Sequence, residues 1–167
     1  METAAIDMST IVSTVAKVSR RPRYVMMVLG LLSEAAGASG EAGPFVTVRG
    51  VRMTIREWLA DTLSDMAERD HRRRALEQRV RQELVGQLPA DEAAAAAMIE
   101  EEVRARARAA GQSNVSRAVT DLVRCGYVRR RYAGWKRDHV RHGAQRNAVY
   151  VVDQDALAAL RRGTQLL

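Results

Sequence analysis

The side chains best suited to recognising another molecule are concentrated in the stretch GQSNVSRAVTDLVRCGYVRRRY, from Gly111 to Tyr132. Its first half carries amide, hydroxyl and guanidinium groups at a spacing that places most of them on one face of a helix. Amide and guanidinium groups can pair with base edges, and hydroxyl groups can bind phosphates. The candidate contact residues in this half are Gln112, Ser113, Asn114, Ser116, Arg117, Thr120 and Arg124.

A second group of candidate residues follows in a basic excursion that contains two glycines and separates two short apolar segments. Cationic side chains there suit phosphate or minor-groove contacts. The indole of Trp135 can either stack on a base or pack against its own hairpin or the partner. The second group is Arg129, Arg130, Arg131, Trp135, Lys136, Arg137, Arg141, His142 and Arg146.

The positive charge of the chain is concentrated around these residues. The whole chain has a net charge of +7. From Arg104 to Asn147 there are 12 basic and 2 acidic residues, so this segment carries +10 and the remainder −3. A positive field confined to one segment indicates an anionic partner. Nucleic acid is favoured over an anionic membrane because no large apolar face accompanies the charge.

Apolar spacing, caps and turns predict the elements of the first half of the chain. The first is a helix before Pro22, with helical spacing of Ile11, Val12, Val15 and Val18. The second is a buried helix over 23–36, with an apolar face formed by Tyr24, Met27, Val28, Leu31 and Leu32. A loop over 37–44 and β-structure over 45–53 with a turn at Arg49-Gly50 follow. Thr54 and Glu57 then form a capping box. It opens one long helix to about Gly86, whose narrow apolar stripe needs a partner.

The second half begins with a helix that Asp91 caps and that runs to Gly111. A tight turn follows, and Ser113 caps a second helix with Val115, Ala118, Val119 and Leu122 on its buried face. Gly126 ends that helix. The remaining elements are a strand from Tyr127, the basic excursion, a strand over 148–152, and a closing helix that Asp153 caps and that buries Leu157 and Leu160.

The order helix, turn, helix, strand, basic loop and strand resembles the winged helix-turn-helix regulators of bacteria, the MarR-like group in a broad sense. The resemblance covers Asp91 to Val152 and lies in SNVSRAVTDLVRCGYVRR. It implies a helix that enters the DNA major groove, with Arg117 contacting guanine and Asn114 or Gln112 contacting adenine. On a second interpretation, RMTIREWLADTL is the first helix of the unit, and much of 64–108 is a helical insertion.

We therefore expect a mainly α protein with a small β-wing, an α+β fold with additional long helices for dimerisation. The expected divisions are an N-terminal helical region over 1–88 and a winged-helix region over 89–167. A homodimer through the N-terminal helices and the helix from Ile55 to Val85 is expected, because DNA half-sites are related by a pseudo-twofold axis.

Other functional classes find less support in the residues. The sequence DHVRH, Asp138 to His142, has too few ligands for a typical zinc site, and no nucleophile–base set or phosphate-binding glycine loop indicates an enzyme. Cys125 suits packing at a helix end, although a redox role stays open. We expect no cofactor and no metal. The acidic N-terminus and the single cysteine indicate a cytoplasmic, nucleoid-associated protein without a signal peptide.

The expected function is sequence-specific binding of double-stranded DNA by a transcriptional regulator, most simply a repressor. Three alternatives stay open. They are a plasmid or phage replication or partition protein, an RNA-binding protein, and a protein whose basic wing meets an acidic protein surface. The sequence does not indicate an operator or an effector ligand.

Overall fold

The computed structural model describes residues 5–66, 70–133 and 147–164, with side chains over 5–64, 72–133 and 147–164. The described fold is mainly helical with a small antiparallel sheet, which confirms the α+β expectation. In chain order its elements are α1 (Met8–Val18), α2 (Pro22–Ala36), a 3-10 turn (Gly37–Ser39), β1 (Glu41–Ala42), β2 (Phe45–Val48), β3 (Val51–Thr54), α3 (Ile55–Met66), α4 (Asp70–Leu84), α5 (Glu92–Arg124), β4 (Val128–Ala133), β5 (Asn147–Val152) and α6 (Gln154–Thr164).

Helices α1 and α2 are confirmed, but the buried face of α2 differs from the predicted one. The side chain of Asp7 accepts a hydrogen bond from Thr10 and caps α1, which buries Ile11 and Val15. The residues that α2 buries are Val25, Val28, Leu29, Leu32 and Ala36. The predicted residues Tyr24, Met27 and Leu31 are partly buried against the core, so the predicted face was incomplete. Further positions are buried because α2 packs against several elements, including α1, α5 and the sheet. Its apolar side is therefore broader than one helical stripe.

The predicted capping box at the start of α3 is present. The backbone N–H of Thr54 donates to the Glu57 carboxylate at 2.9 Å, and the backbone N–H of Glu57 donates to the Thr54 hydroxyl at 3.2 Å. The first of these bonds lowers the pKa of Glu57 below its usual value of 4.5, and burial opposes that shift. The box fixes where α3 begins, directly after β3.

Replacing Glu57 with glutamine is expected to lower the free energy of unfolding at pH 7 by about 0.3–1 kcal/mol, because a carboxylate in the first helical turn stabilises the helix. Since the pKa of Glu57 is lowered in the folded state, its contribution is complete above pH 4.5 and is lost as the pH falls through the lowered pKa. Urea titrations of both proteins between pH 7 and pH 3 measure this difference. A stability gap that stays constant down to pH 3 contradicts the assignment.

The segment over 45–53 is a β-hairpin that turns where the sequence indicates. Phe45 pairs with Thr54 and Val48 pairs with Val51 in the antiparallel ladder of β2 and β3. Arg49 and Gly50 connect them with φ angles of 50° and 79°. Two consecutive positive φ angles match the twist of the flanking strands and make a tight two-residue turn.

The second sheet has the order β1-β5-β4, with all neighbours antiparallel. Its first strand was missed, because residues 37–44 were predicted as a loop. Glu41 and Ala42 pair with Val151 and Tyr150 of β5. Two residues are too few to show the alternation by which a strand is recognised from sequence.

The largest correction concerns α5, which is one helix of 33 residues with no turn at Gly111. The predicted helix-turn-helix at this position and the predicted N-cap role of Ser113 are therefore wrong. The N-cap of α5 is Asp91, whose side chain accepts from the backbone N–H of Ala94 at 3.1 Å. A Cβ at Gly111 would lie 3.1 Å from the Cβ of Ala60. Gly111 thus permits close packing of α5 on α3, and does not form a turn.

The prediction of one long helix from Thr54 to about Gly86 is also wrong, because α3 and α4 run in different directions along α5. The pairs between α3 and α5 are Arg56–Ser116, Ala60–Gly111 and Asp61–Arg108. The ion pairs between α4 and α5 are Arg73–Glu100 and Glu83–Arg106. Partners on α5 descend along α3 but ascend along α4, so the chain reverses between the two helices.

The apolar stripe of these helices is covered within the chain. Ile55, Leu59 and Leu63 of α3 belong to the main core, which also includes Val115, Val119 and Leu122 of α5 together with side chains of α1, α2, α6 and the sheet. On α4, Val80 packs with Ile99 and Val103 of α5 in a separate small cluster. The partner that the stripe requires is α5, so the stripe gives no independent reason for a second copy of the chain.

Candidate nucleic-acid interface

The principal cavity of the described structure is an open groove of about 680 Å³ beside the second half of α5. Its walls are the α1–α2 corner (residues 18–24), the exposed face of α5, and one face of β4 and β5. We call it the arginine groove, because its charged lining residues are Arg20, Arg21, Arg56, Arg117, Arg124 and Arg130, with Asp121 as the single acid.

The exposed face of α5 is positioned by the residues behind it. Val115, Val119 and Leu122 are completely buried, as predicted. At the end of the helix, the backbone N–H of Tyr127 donates to Leu122 and that of Gly126 donates to Val123. With Gly126 at a φ of 80°, this is the hydrogen-bond pattern of a Schellman cap. The cap directs the chain straight into β4, so that the strand begins next to the helix face.

Three arginines from three different elements hold the polar side chains of that face. Arg21 of the α1–α2 corner donates to the side-chain oxygen of Asn114 at 3.3 Å. Arg56 of α3 donates to the Ser116 hydroxyl at 3.3 Å. Arg130 of β4 donates to the Thr120 hydroxyl at 3.4 Å and to the backbone carbonyl of Ser116 at 3.3 Å. Each guanidinium has five N–H donors, so each retains donors for a ligand.

The remaining arginines of the groove differ in their partners. Arg124 lies 3.7 Å from Asp121, one turn earlier on α5. Arg20 and Arg117 form no hydrogen bond or ion pair with any described residue. Arg117 is exposed on the face of α5. The groove therefore contains two cationic groups whose full hydrogen-bonding capacity is directed to solvent or to a ligand.

The strand β4 divides the predicted wing arginines between two faces, because successive strand side chains alternate. Arg130 lies on the groove side together with Tyr132, and Tyr150 of β5 forms part of the floor. Arg129 and Arg131 lie on the other face, where Arg131 pairs with Glu41 of β1 at 2.9 Å. Burial raises the pKa of the Tyr150 hydroxyl, and the charges of Arg56 and Arg130 oppose that shift.

Among the other predicted contact residues, those that the structure describes on α5 are not brought into the groove lining. Ser113 is exposed and Gln112 is half-buried on α5, and both lie outside the lining of the groove. The residues of the basic excursion, 134–146, lie outside the described structure. These are Trp135, Lys136, Arg137, Arg141, His142 and Arg146, together with the DHVRH cluster.

The sequence interpretation missed three arginines that line the groove, namely Arg20, Arg21 and Arg56. A signal for two of them was present, since SRRPRY at 19–24 places three arginines around a proline at a helix start. Their distance from Asn114 and Ser116 along the chain concealed the association. Arg56 carried no signal beyond its position in the first turn of α3.

Cys125 lies at the C-terminal cap of α5 and is half-buried. Burial raises the pKa of its thiol, and the charge of Asp121 raises it further. Because the thiolate is the reactive form, both effects suppress its reactivity. Among residues 5–66, 70–133 and 147–164, no three His, Cys, Asp or Glu side chains are grouped for a metal ion.

Comparison of the chain with known proteins identifies no similar protein. The chain matches no protein-family model, and neither the curated proteins nor the solved structures contain a significant match. Within the described part of the chain, no helix has both the length and the apolar character needed to cross a membrane.

Proposed function

We propose that this protein binds double-stranded DNA in a sequence-specific manner and acts as a transcriptional regulator. The observation that carries the proposal is the arginine groove, whose described lining has six arginines and one acid around the polar face of one helix end. An α-helix fits the DNA major groove, and cations beside it can neutralise the flanking phosphates. Residues 114–124 of α5 are the proposed reading segment.

The order of the elements supports a winged-helix assignment for this segment, in its interrupted form. Helix α2, strand β1, helix α3, the end of α5, and the hairpin of β4 and β5 occur in this order, with the β2–β3 hairpin between β1 and α3 and with α4 between α3 and α5. In the sheet, β5 lies between β1 and β4. This is the order expected if RMTIREWLADTL opens the unit and much of 64–108 is inserted within it. In this proposal α3 and the end of α5 form the helix pair, and the two strands lead to the wing.

The proposed role of each residue follows from the chemistry of its side chain. Arg117 has no hydrogen-bond or ion-pair partner among the described residues and can pair with the O6 and N7 atoms of guanine. Asn114 can read adenine with the amide hydrogens that Arg21 leaves available. Arg56 and Arg130 lie beside Ser116 and are suited to phosphates.

A homodimer remains part of the proposal, since a pseudo-twofold operator matches a twofold protein. The α3 and α4 stripe no longer motivates it, because α5 covers that stripe. Light scattering at micromolar concentration tests the dimer separately from DNA binding. If the protein is a monomer, both free and on a duplex with one half-site, the predicted dimer is wrong. This measurement does not test the reading segment.

Selection of bound sequences from random duplex DNA tests the proposed function directly. We expect an enriched motif, and a loss of binding as salt rises because counterions are released from phosphates. Competition with single-stranded DNA and with structured RNA distinguishes duplex binding from the alternatives. Absence of duplex binding at low salt contradicts the proposal and favours a protein or RNA partner.

Replacing Arg117 with alanine is expected to weaken binding to the selected site by about 1–3 kcal/mol while changing non-specific binding little. The reason is that a base contact carries sequence information and a phosphate contact does not. Anisotropy titrations against the selected and a scrambled duplex measure both values. Arg104→Ala is the matched control, since Arg104 is exposed on the same helix, roughly 20 Å away along its axis. Equal losses for both variants contradict the role of Arg117.

A further inference from the structure

The polar face of α5 has two margins and a centre. At about 100° per residue along a helix, Asn114 and Ser116 fall on opposite margins of the exposed face, with Arg117 and Arg124 between them. Arg21 holds the Asn114 margin. Arg56 and Arg130 hold the Ser116 margin. Cationic side chains therefore flank the proposed reading segment on both sides, and those on one side come from the α1–α2 corner.

Arg21 is oriented in the corner by two contacts. Its guanidinium lies over the ring of Tyr24, 4.5 Å from the ring centroid, and one of its nitrogens donates to Asn114. Such stacking fixes the plane of a guanidinium and leaves its other edge free to form paired hydrogen bonds with an anion. The neighbouring Arg20 lines the same groove and has no partner among the described residues. Two guanidinium groups at one margin form a site suited to a phosphodiester.

We propose that the α1–α2 corner binds a backbone phosphate of the DNA strand opposite to the strand that Arg56 and Arg130 contact. This inference rests on the proposed function. A helix in the major groove lies between the two phosphodiester backbones, so cations on its two margins meet different strands. The corner is thus a third contact element, in addition to the reading segment and the wing. It sets the orientation of α5 in the groove and does not read bases.

Phosphate neutralisation tests the corner strand by strand. In a series of duplexes of the selected site, one phosphate at a time is replaced by an uncharged methylphosphonate. For the wild-type protein we expect two clusters of sensitive positions in each half-site, one on each strand. The double variant Arg20→Ala/Arg21→Ala is expected to lose sensitivity at one cluster only, and Arg130→Ala at the other. Each lost phosphate contact should reduce the slope of log K against log salt by about 1.

Two further variants distinguish the loss of a phosphate contact from a loss of binding that is caused by misfolding. Arg20→Ala alone removes an exposed side chain that forms no hydrogen bond or ion pair with any described residue, and it is expected to weaken all duplexes alike, by roughly tenfold or less. Arg23→Ala is the matched control, because Arg23 is an exposed arginine of the same corner but does not line the groove. It is expected to retain both sensitive clusters and the wild-type slope.

The outcomes separate this inference from the function on which it rests. If the corner variants retain both clusters and the full slope while Arg117→Ala loses specificity, the corner contact is wrong and DNA binding stands. If the corner variants and Arg130→Ala lose the same cluster, the assignment to opposite strands is wrong. If the wild-type protein binds no duplex at low salt, or binds only RNA, the proposed function and the corner contact are both wrong.

Discussion

Replacing Ser113 with proline is expected to lower the free energy of unfolding by about 3 kcal/mol or more. Ser113 lies in the interior of α5, a continuous helix from Glu92 to Arg124. Proline there removes one backbone hydrogen bond, and its ring clashes with the carbonyl four residues earlier. Because the Ser113 side chain is exposed, the effect isolates the backbone from core packing. Chemical denaturation monitored by circular dichroism measures the loss.

Ser113→Ala is the matched control, and its sign distinguishes the continuous helix from a helix-turn-helix at Gly111. In a continuous helix, alanine at an exposed interior position is neutral or stabilising by a few tenths of a kcal/mol. At an N-cap the same substitution costs about 1 kcal/mol. A proline variant as stable as the wild type, together with a destabilised alanine variant, would show that a turn lies at this position.

Replacing Leu122 with alanine is expected to cost about 2–5 kcal/mol, the range for deleting a fully buried leucine side chain. Leu122 has no exposed surface, and it belongs to the main core beneath the reading segment. Its backbone carbonyl also accepts the hydrogen bond from Tyr127 that directs the chain into β4. Since small domains have about 5–15 kcal/mol of stability, this loss is a large share of the total. Urea titration measures it.

Val123→Ala is the matched control for Leu122→Ala. Val123 is adjacent on α5 but is 41% exposed, so its truncation removes little buried surface, and alanine has the higher helix propensity. We expect a change within about 0.5 kcal/mol. The pair also tests the interface, because DNA binding should fall with Leu122→Ala only as far as the folded fraction falls. Equal destabilisation by the two substitutions contradicts the burial assigned to this face.

The features predicted correctly from sequence are those that depend on neighbouring residues. Asp91 caps α5, Thr54 and Glu57 form a capping box, and Asp153 caps α6, because each cap needs only a side chain and an amide two or three positions away. Arg49-Gly50 turns the first hairpin for a similarly local reason. The buried face of residues 115–122 was correct because that segment has one side packed and one side exposed.

The errors concern features that distant residues decide. A glycine with a serine two residues later matches the local pattern of a turn, yet Ala60 of α3 packs against Gly111 and the helix continues. The reversal between α3 and α4 has the same origin, since α5 offers packing surface to both helices. Local sequence patterns favour such alternative structures almost equally. Tertiary packing decides between them, because its energy exceeds the small difference in their local energies.

The candidate site was predicted in part for the same reason. Asn114, Ser116, Arg117, Thr120 and Arg124 share one helix face, so their association follows from helical spacing alone. Strand alternation could have separated Arg130 from Arg129 and Arg131, but only the pairing with β1 showed that Arg131 is held by Glu41. The contributions of Arg20, Arg21 and Arg56 required the three-dimensional structure.

By itself the sequence determined that positive charge is concentrated on one segment and which helix face carries its polar side chains. Charge concentration and side-chain type along one segment are local properties that folding does not alter. Only the tertiary structure decided that this face forms one wall of the arginine groove and that arginines from the α1–α2 corner, α3 and β4 lie beside it. The physical reason is that residues separated by 93 positions, such as Arg21 and Asn114, meet because the buried core between them brings their helices together.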